Sequence, residues 1–222
     1  MKATRQAGGR NGLDRTAIVA TAITLLDDVG LDGLTMRRLA ADLGVQNPAL
    51  YWHFRNKQQL LDEMSDAIQS SDEHGPPRDD EAWQDWLTSR ARQRRKLLLA
   101  HRDGARLVAS TRAGITILRK FDEELTAMTA RGFSPLAAVR AITTVSHYIT
   151  GFVLEEQAER QRHTQTPLGE TDAEEHAALG SHSPLTAAIR EGGDLQGDAA
   201  FEDGLRILVA GISATFERTR AT

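Results

Sequence analysis

Apolar residues recur along this chain at intervals of three and four residues, the spacing of amphipathic α-helices. Ile18, Ala22, Leu25, Leu26 and Val29 follow this spacing near the start. No stretch alternates apolar with polar residues for long, β-branched runs are short, and residues of high helix propensity such as alanine, leucine and arginine are frequent. The pattern predicts an all-α fold.

Local signals delimit the first two predicted helices. Asp14 is a candidate N-cap for the first helix, and Gly30 stands where a glycine commonly ends one. Thr35 is the predicted N-cap of the second helix, and Gly44 terminates it. Asp32 and Gly33 are expected to form a turn between the two helices.

The third predicted helix, from Pro48 to His53, is very short. Asn47 is its candidate N-cap, and Asn56 with Gln59 has the spacing of a capping box at the start of a fourth helix. Because so short a helix is marginal in water, it must be held by packing on one side, which leaves its other face free. Two short helices joined by a tight turn and braced by a longer one are the plan of a helix-turn-helix unit.

A polar segment after Ser70 predicts a linker, and we place the domain boundary there, between residues 1–70 and 71–222. Beyond it the pattern predicts a second, helical domain. Its helices are expected at about 81–101, 104–110, 115–131, 135–158, 184–191 and 198–219. Residues 159–183 are polar, and we expect a mobile loop there.

Composition narrows the classes of function. The chain has no cysteine, which excludes disulfide scaffolds, cysteine-ligated zinc, iron–sulfur clusters and thiol nucleophiles. A charged fraction of 26% without a long apolar run excludes a transmembrane helix, and Met1 to Gly12 lacks the apolar core of a secretory signal. We therefore expect a soluble, cytoplasmic protein with no membrane partner.

Charge is distributed unevenly along the chain. The formal net charge is −4, yet residues 1–60 hold eight Lys or Arg and five Asp, a net +3, which leaves −7 for the remainder. A basic end on an acidic body fits a nucleic-acid-binding head, because positive charge is needed only where phosphates are contacted.

The outward face of the third helix carries the candidate DNA-reading residues. Pro48 and Ala49 make a compact start that allows close approach to base edges, and Tyr51 and His53 can donate hydrogen bonds to bases or phosphates. The candidate DNA-contacting residues are Arg37, Asn47, Pro48, Ala49, Tyr51, Trp52, His53 and Lys57, with Arg37 and Lys57 as flanking phosphate contacts.

The aromatic pair Tyr51 and Trp52 has an alternative interpretation as part of the core. Leu50 and Phe54, four residues apart, already supply the buried side of so short a helix. We therefore expect Tyr51 to contact DNA, whereas for Trp52 a core position and a DNA contact remain equally open.

Three segments of the head, Leu34–Ala40, Leu43–Val45 and Leu50–Lys57, resemble the DNA-binding domain of the TetR family of regulators. The Tyr51–His53 triplet resembles the corresponding segment in the subfamily of the tetracycline repressor. The likeness covers residues 13–158 and continues more loosely over 201–216. Further matching segments follow in the same order: Trp83–Asp85, His101–Ala105, Thr111–Arg112, Arg131–Ser134 and Val153–Gln157.

The resemblance implies a three-helix, N-terminal helix-turn-helix domain joined by its fourth helix to a C-terminal ligand-binding and dimerisation domain. It implies a transcriptional repressor that binds a palindromic DNA operator as a homodimer and is released by a small-molecule effector. Activation in place of repression, or action without a small ligand, remains open as an alternative.

The same resemblance implies that helices 135–158 and 198–219 form a four-helix bundle with those of the partner chain. Apolar stripes on both helices are wide enough for this, although a purely intrachain core is the alternative. The stripes comprise Leu136, Val139, Ala141, Ile142, Val145, Ile149, Phe152 and Val153, and Phe201, Leu205, Leu208, Val209 and Ile212.

Two arginines, Arg90 and Arg94, interrupt the apolar stripe of the first helix of the body. A buried arginine needs a partner, which indicates either a carboxylate such as Glu124 or an anionic or carbonyl-bearing ligand. The alternative is that both are solvated, as expected for Arg92 and Arg95. Together with positions that match the subfamily's pocket, the candidate effector-binding residues are Arg90, Arg94, Val108, Thr111, Arg112, Phe121, Glu124, His147 and Glu155.

The chain departs from the tetracycline-binding subfamily at its metal ligand. The subfamily holds its metal with a histidine three residues before the Thr-Arg pair, where this chain has Val108. Arg90 and Arg94 replace a polar amide and an aromatic wall, and Glu73 and His74 compete for the position of another histidine. We expect an effector other than magnesium-chelated tetracycline.

Enzyme and interaction-module alternatives find little support in the residues. His101–Asp103, or His147 with Glu155, carry acid–base side chains, but neighbouring helix positions point apart and no catalytic motif occurs. We expect no catalytic activity, no cofactor and no metal site, and the intact basic head argues against a pure protein-interaction module. The irregularly spaced His163, His176 and His182 are expected to be solvated.

Overall fold

The computed structural model describes residues 14–165, 183–192 and 197–220. These residues form ten helices and no strand, which confirms the all-α class. Predictions for Met1 to Gly12, His176, His182 and the side chain of His163 lie outside the described residues. The helices are α1 (Arg15–Gly33), α2 (Met36–Asp42), α3 (Asn47–Leu50), α4 (Lys57–Ser70), α5 (Trp83–Leu99), α6 (Gly104–Ala109), α7 (Ile115–Ala130), α8 (Pro135–Gln165), α9 (Pro184–Gly192) and α10 (Asp198–Arg220). None of these helices has the length and apolarity needed to cross a membrane.

Two predicted caps fix the helices of the head locally. The side-chain oxygen of Thr35 accepts a hydrogen bond from the backbone N–H of Arg38 at 3.2 Å, and Asn56 Oδ1 accepts one from the N–H of Gln59 at 2.9 Å. Gln59 Oε1 accepts from the N–H of Arg55 at 2.8 Å, not from that of Asn56. The return hydrogen bond of the capping box is thus donated by the residue before the one that the pattern implies.

The first helix does not end at Gly30. The chain passes through Gly30 at φ +72°, a conformation that glycine adopts without strain, and resumes helical hydrogen bonding up to Gly33. Asp14 occupies the N-cap position, yet its side chain makes no capping hydrogen bond. The predicted break is therefore present as a kink inside α1.

The third helix is shorter than predicted. It spans Asn47–Leu50, and the chain continues through turns as far as His53. Gln46, in an extended conformation, takes the N-cap position assigned to Asn47, which is a correction of one residue. Pro48 tolerates this shift, because a residue in the first turn needs no N–H partner within the helix.

The head encloses an apolar core of its own. Leu50 and Phe54 are fully buried, as predicted for the inner side of the short helix. Leu107 of α6 joins the same cluster and Leu97 of α5 packs against it, so the body contributes to the core of the head. Other members with no more than a trace of exposure are Ile18, Ala22, Leu26, Leu34, Leu39, Leu60 and Met64.

The body is organised around the contact of α5 with α8, against which α6, α7 and α10 pack. Its core includes Trp86, Leu87, Leu98, Ile142, Val145, Ile149 and Phe201. α8 continues to Gln165, so the predicted loop is wrong for residues 159–165. One reason is that Gln161 Nε2 donates to Asp103 Oδ1 at 2.9 Å, which fixes this polar stretch against α6. The rest of the predicted loop, 166–182, lies outside the described residues.

The predicted linker after Ser70 is tied to the body by its own carbonyl groups. Trp86 Nε1 donates to the carbonyl of Gly75 at 2.9 Å, and an Arg131 guanidinium nitrogen donates to that of Pro77 at 3.2 Å. The segment that its composition marks as a linker therefore makes defined contacts with the body. The domain boundary at residue 70 stays a prediction.

Candidate functional site

The turn that follows α3 presents two aromatic side chains to solvent. Trp52 is 88% exposed and Tyr51 is 49% exposed, whereas Leu50 and Phe54 on the inner side are fully buried. The alternative that places Trp52 in the core is therefore wrong. Large exposed aromatic groups on a well-packed domain are typical of a surface that meets a partner.

The remaining predicted contact residues differ in exposure. Pro48 is exposed, and Ala49 and His53 are partly buried on the same short segment. Arg37 of α2 is also exposed, and its side chain has no ion pair among the described residues. The second and third helices and the turn that follows thus expose a proline, two aromatic groups and a guanidinium without an ion pair in the described ranges.

Two predicted contact residues are less accessible than their neighbours. Lys57 is partly buried, and its Nζ lies 3.5 Å from the carbonyl oxygen of Leu31 at the end of α1. The Oδ1 atom of Asn47 is buried and has no hydrogen-bond partner among the described residues. A phosphate near Lys57 would have to compete with the carbonyl of Leu31.

A cavity of about 230 Å³ lies in the body between the C-terminal end of α4 and helices α5, α7 and α8. It brings together four of the predicted effector-binding residues, namely Arg90, Arg94, Phe121 and Glu124. His74, a sequence-based candidate for the subfamily's second histidine, also lines the cavity. Further lining residues that sequence reasoning missed include Gln69, Asp72, Ile117, Leu118, Lys120, Thr143 and Ser146.

Arg90 and Glu124 form a buried ion pair in this cavity. Arg90 Nε donates to Glu124 Oε1 at 2.8 Å, and the two residues are only 8% and 7% exposed. Arg90 also donates to Ser146 Oγ at 3.3 Å and lies over the ring of Trp86 at 5.9 Å. The interpretation of Arg90 as solvated is wrong, and the predicted carboxylate partner is present.

Arg94 is placed differently from Arg90. One of its terminal nitrogens donates to Gln69 Oε1 at 2.6 Å, while its Nε atom is buried without a partner among the described residues. Burial, reinforced by the charge of Arg90, lowers the pKa of Arg94 to about 10, against the opposing effect of nearby carboxylates. The guanidinium is therefore still charged at neutral pH.

Arg95, expected to be solvated, is instead held by acidic side chains. It donates to both oxygens of Glu156, at 2.6 and 3.0 Å, and to Asp198 at 2.7 Å. Its guanidinium lies 4.7 Å from the ring centre of Phe201. These hydrogen bonds, above all that to Glu156, raise the pKa of Arg95. Arg92 is exposed as predicted, and it pairs with Glu202 at 2.6 Å.

Five predicted effector-binding residues do not line this cavity within one chain. Val108 is partly buried and packs against the core of the body. Thr111 donates its hydroxyl to the carbonyl of Leu107 at 3.1 Å. Arg112, His147 and Glu155 are exposed. The sequence pattern could not separate these positions, because their orientation depends on how α6 and α8 are rotated against α5.

A second, larger cavity of about 940 Å³ lies between α8 and α10. Leu136 at its lining is 58% exposed and Ile207 is 66% exposed. Among the predicted stripe residues, Ala141, Ile142, Val145, Ile149, Val153, Phe201 and Leu205 are buried within the chain, and Val139, Phe152 and Val209 are partly buried. Leu136, Ala141, Leu208 and Ile212 line the cavity. The stripes therefore serve the intrachain core and also leave an apolar face uncovered.

The head and the body are joined by polar contacts between α1 and the segment that leads into α6. The carboxylate of Asp27 lies 3.1 Å from His101 Nδ1 and accepts from the N–H of Arg102 at 3.0 Å. Arg106 makes two hydrogen bonds to Asp32, at 2.7 and 2.8 Å, and they lower the pKa of Asp32. Of the side chains considered for acid–base catalysis, His101 is thus engaged in this junction, whereas His147 and Glu155 are exposed.

Comparison with known proteins matches both parts of the chain. A family model described as bacterial regulatory proteins, tetR family, matches residues 18–64, and a tetracyclin repressor-like C-terminal domain matches residues 76–216. The tetracycline repressor protein class A from transposon 1721 of Escherichia coli is 42% identical over 206 residues, which cover 90% of this chain and 91% of the relative.

Two solved structures extend the comparison. A class A TetR in complex with 5a,6-anhydrotetracycline and magnesium is 37% identical, with a TM-score of 0.68 and coverage of 89% of this chain and 96% of that one. BioQ with its double-stranded DNA operator is 31% identical, with a TM-score of 0.63 and coverage of 91% and 99%. Both similarities extend over the head and the body together.

Proposed function

The chain belongs to the TetR family of bacterial regulatory proteins, and on this premise we propose that it is a transcriptional repressor, released from a palindromic DNA operator by a small-molecule effector. The observation that carries the proposal is the α3 surface, where Trp52 and Tyr51 face solvent while Leu50 and Phe54 anchor the segment from behind. Relatives of this chain are regulators and not enzymes, and we propose a cytoplasmic regulator without catalytic activity or a cofactor.

DNA recognition divides between two kinds of contact. The segment from Asn47 to His53 enters the major groove, where Ala49 and Tyr51 contact base edges and thereby set sequence preference. Arg37 and Lys57 contact phosphates, which adds affinity but carries no sequence information. The exposed guanidinium of Arg37 suits this role, since it has no competing carboxylate among the described residues.

A homodimer supplies the two heads that a palindrome requires. The uncovered apolar face between α8 and α10, which includes Leu136, Ile207 and Leu208, is the surface on which the second chain packs. Burial of these side chains removes apolar area from water at about 25 cal/mol per Å². The recognition segments of the two heads then lie about 34–36 Å apart, one turn of B-DNA.

Effector binding is coupled to the head through α4. This helix begins beside the recognition segment and ends at the smaller cavity, where Gln69 accepts a hydrogen bond from Arg94. Lys120 of α7 donates to the carbonyls of Ser70 and Asp72, at 3.0 and 2.8 Å, at the same end of α4. A ligand that moves Arg94 or Lys120 therefore acts on α4, and coupling of about 1–3 kcal/mol is usual.

The effector differs from magnesium-chelated tetracycline, although relatives are tetracycline repressors. Val108 offers no lone pair to a metal, and an ion pair of Arg90 with Glu124 occupies the cavity wall. Of the two candidate acidic or imidazole ligands after α4, His74 lines the cavity and Glu73 is exposed. One histidine is a weak site for a hard cation, and no three His, Asp or Glu residues in the described ranges cluster as a metal site.

Selection from a random pool of double-stranded DNA tests the proposed function. The full-length protein is expected to enrich one palindromic sequence, and binding to it is then measured by fluorescence anisotropy. Tyr51→Ala and Trp52→Ala should bind the palindrome no better than random DNA while melting at the same temperature as the parent protein. Failure of the parent protein to enrich any sequence would refute the proposal. A regulator that activates would bind the same DNA, and a reporter fused to the operator separates the two outcomes.

A further inference from the structure

Three buried polar atoms that lack a hydrogen-bond partner belong to residues lining the smaller cavity. They are Arg94 Nε, His74 Nε2 and Glu124 Oε2, and only two other such side-chain atoms occur in the described ranges. A buried polar group without a partner destabilises the folded state, so native proteins seldom gather several in one place. Their concentration here indicates a ligand that both accepts and donates hydrogen bonds.

The charge of the cavity selects the sign of that ligand. Arg90 is neutralised by Glu124 at 2.8 Å, whereas Arg94 has no carboxylate within ion-pair distance in the described part of the chain. Asp72 also lines the cavity, so the three cationic side chains Arg90, Arg94 and Lys120 outnumber the two carboxylates, Asp72 and Glu124. The ammonium of Lys120 is also held by carbonyl groups and not by an acid. A carboxylate placed between these cations would gain charge-assisted hydrogen bonds in a partly desolvated site.

Part of the remaining cavity wall is apolar. Phe121, Leu118 and Ile117 of α7 face the charged groups across a volume of about 230 Å³. This volume is below the roughly 300–1,000 Å³ of pockets for drug-sized ligands, and it suits a single ring. An aromatic ring against Phe121 would add stacking to the burial of apolar area.

We propose that this cavity binds a small aromatic carboxylate that also carries a hydroxyl group, a monocyclic phenolic acid. Its carboxylate accepts from Arg94 and His74, and its hydroxyl donates to the free oxygen of Glu124. The proposal rests on the proposed function in one respect, because it treats the ligand as the effector.

Binding of this ligand has a structural consequence for α4. Arg94 now donates to Gln69, the last buried side chain of α4, at 2.6 Å. A ligand carboxylate competes with Gln69 for the same guanidinium, so occupation of the cavity loosens the tie between α4 and α5. The anion is thus recognised at the point where a signal to the head would start.

Calorimetric titration of the full-length protein tests the proposal with defined probes. The ortho, meta and para isomers of hydroxybenzoate are compared with their neutral amides and with benzoate, which lacks the donor. At least one isomer is expected to bind at one site per chain, roughly tenfold tighter than its amide and than benzoate. Equal affinity for acid and amide, or no binding of any isomer at millimolar concentration, would overturn the proposal.

Variants locate the binding site. Arg94→Gln should weaken the best isomer by roughly tenfold or more, whereas Arg92→Gln, on the same helix but exposed and paired with Glu202, should leave it unchanged. Unchanged affinity in Arg94→Gln would place the ligand elsewhere and refute the assignment. If Arg94→Gln does not fold, Arg94→Lys replaces it, because lysine keeps the positive charge but lacks the bidentate guanidinium. The comparison of acid with amide needs no variant.

Operator release, measured on the same samples, separates the two proposals. Arg94-dependent binding without any effect on the operator would uphold the ligand assignment and refute its role as effector. Release by a neutral compound that acts equally on Arg94→Gln would uphold the proposed function and refute the phenolic acid.

Discussion

The carboxylate of Asp103 accepts a hydrogen bond from the backbone N–H of Leu31 at 2.8 Å, across 72 positions of the chain. Its other oxygen accepts from Gln161 of α8 at 2.9 Å. One buried side chain therefore joins the first helix of the head to the long central helix of the body. Asp103 itself adopts φ +57°, a conformation that aspartate tolerates better than most residues.

Asp103→Ala is expected to destabilise the protein by about 1–3 kcal/mol, because both the N–H of Leu31 and the amide of Gln161 lose their acceptor. Asp103→Asn retains one acceptor oxygen and should lose less. Asp28→Ala, at an exposed carboxylate of α1, is the matched control and should change the free energy of unfolding by less than about 0.5 kcal/mol. Urea denaturation measures all three, and equal stability of Asp103→Ala and Asp28→Ala would contradict this role.

The kink at Gly30 offers a second test of the same junction. A Cβ atom at Gly30 would lie 2.8 Å from Asp103 Oδ2 and 3.0 Å from Arg102 Nε, and the residue has φ +72°. Gly44 has a similar φ of +65° but nothing within 4 Å of its Cβ position. Gly44→Ala should therefore cost only the roughly 1–2 kcal/mol of the backbone conformation, and Gly30→Ala should cost more. Thermal unfolding of both variants measures the difference, and equal losses would show that no close contact exists at Gly30.

A substitution at the exposed Trp52 should affect DNA binding without affecting the stability of the fold. Trp52→Ala should change the free energy of unfolding by less than about 0.5 kcal/mol, since the side chain is 88% exposed, yet it should weaken operator binding. Leu50→Ala, two residues earlier and fully buried, should cost about 2–5 kcal/mol. Chemical denaturation and anisotropy on the same samples measure the two effects. A large loss of stability in Trp52→Ala would show that the indole packs within the head.

Phosphate contacts are recognised by their dependence on salt. Arg37→Ala should weaken binding to all DNA sequences alike and reduce the slope of log affinity against log salt by roughly one. Lys57→Ala should act in the same direction. Ala49 and Tyr51 variants should instead change the profile of a base-substitution scan. Identical profiles for these variants and the parent protein would show that the assigned reading face is wrong.

Titration with tetracycline and magnesium tests whether the effector of this chain differs from magnesium-chelated tetracycline. We expect no release from the operator at micromolar drug, because Val108 cannot bind the metal and Arg94 brings charge into the cavity. Fluorescence anisotropy of the operator complex measures release. Release that is abolished by EDTA would contradict the argument from Val108.

Local features of the fold could be predicted from the sequence. Thr35 and Asn56 cap their helices, and Leu50 and Phe54 are buried, because these outcomes depend on residues only a few positions apart. The end of α1 could not, since the kink at Gly30 depends on packing against a segment far along the chain.

The cavity could be predicted only in part. The pairing of Arg90 with Glu124 is one of the alternatives that an arginine on an apolar stripe leaves open, and the structure selects it. Gln69 and Lys120 reach the same cavity from other helices, and no local spacing reveals this. Arg95 shows the same limit, because its acidic partners lie on helices distant in sequence.

The number of chains bound to one palindromic operator tests the central claim most directly. Sedimentation of the full-length protein with the selected duplex should show two chains per duplex, and a duplex reduced to one half-site should bind far more weakly. Both heads must engage for full affinity, because each presents a single recognition segment about one turn of B-DNA from the other. A single chain bound to the half-site with undiminished affinity would contradict the account.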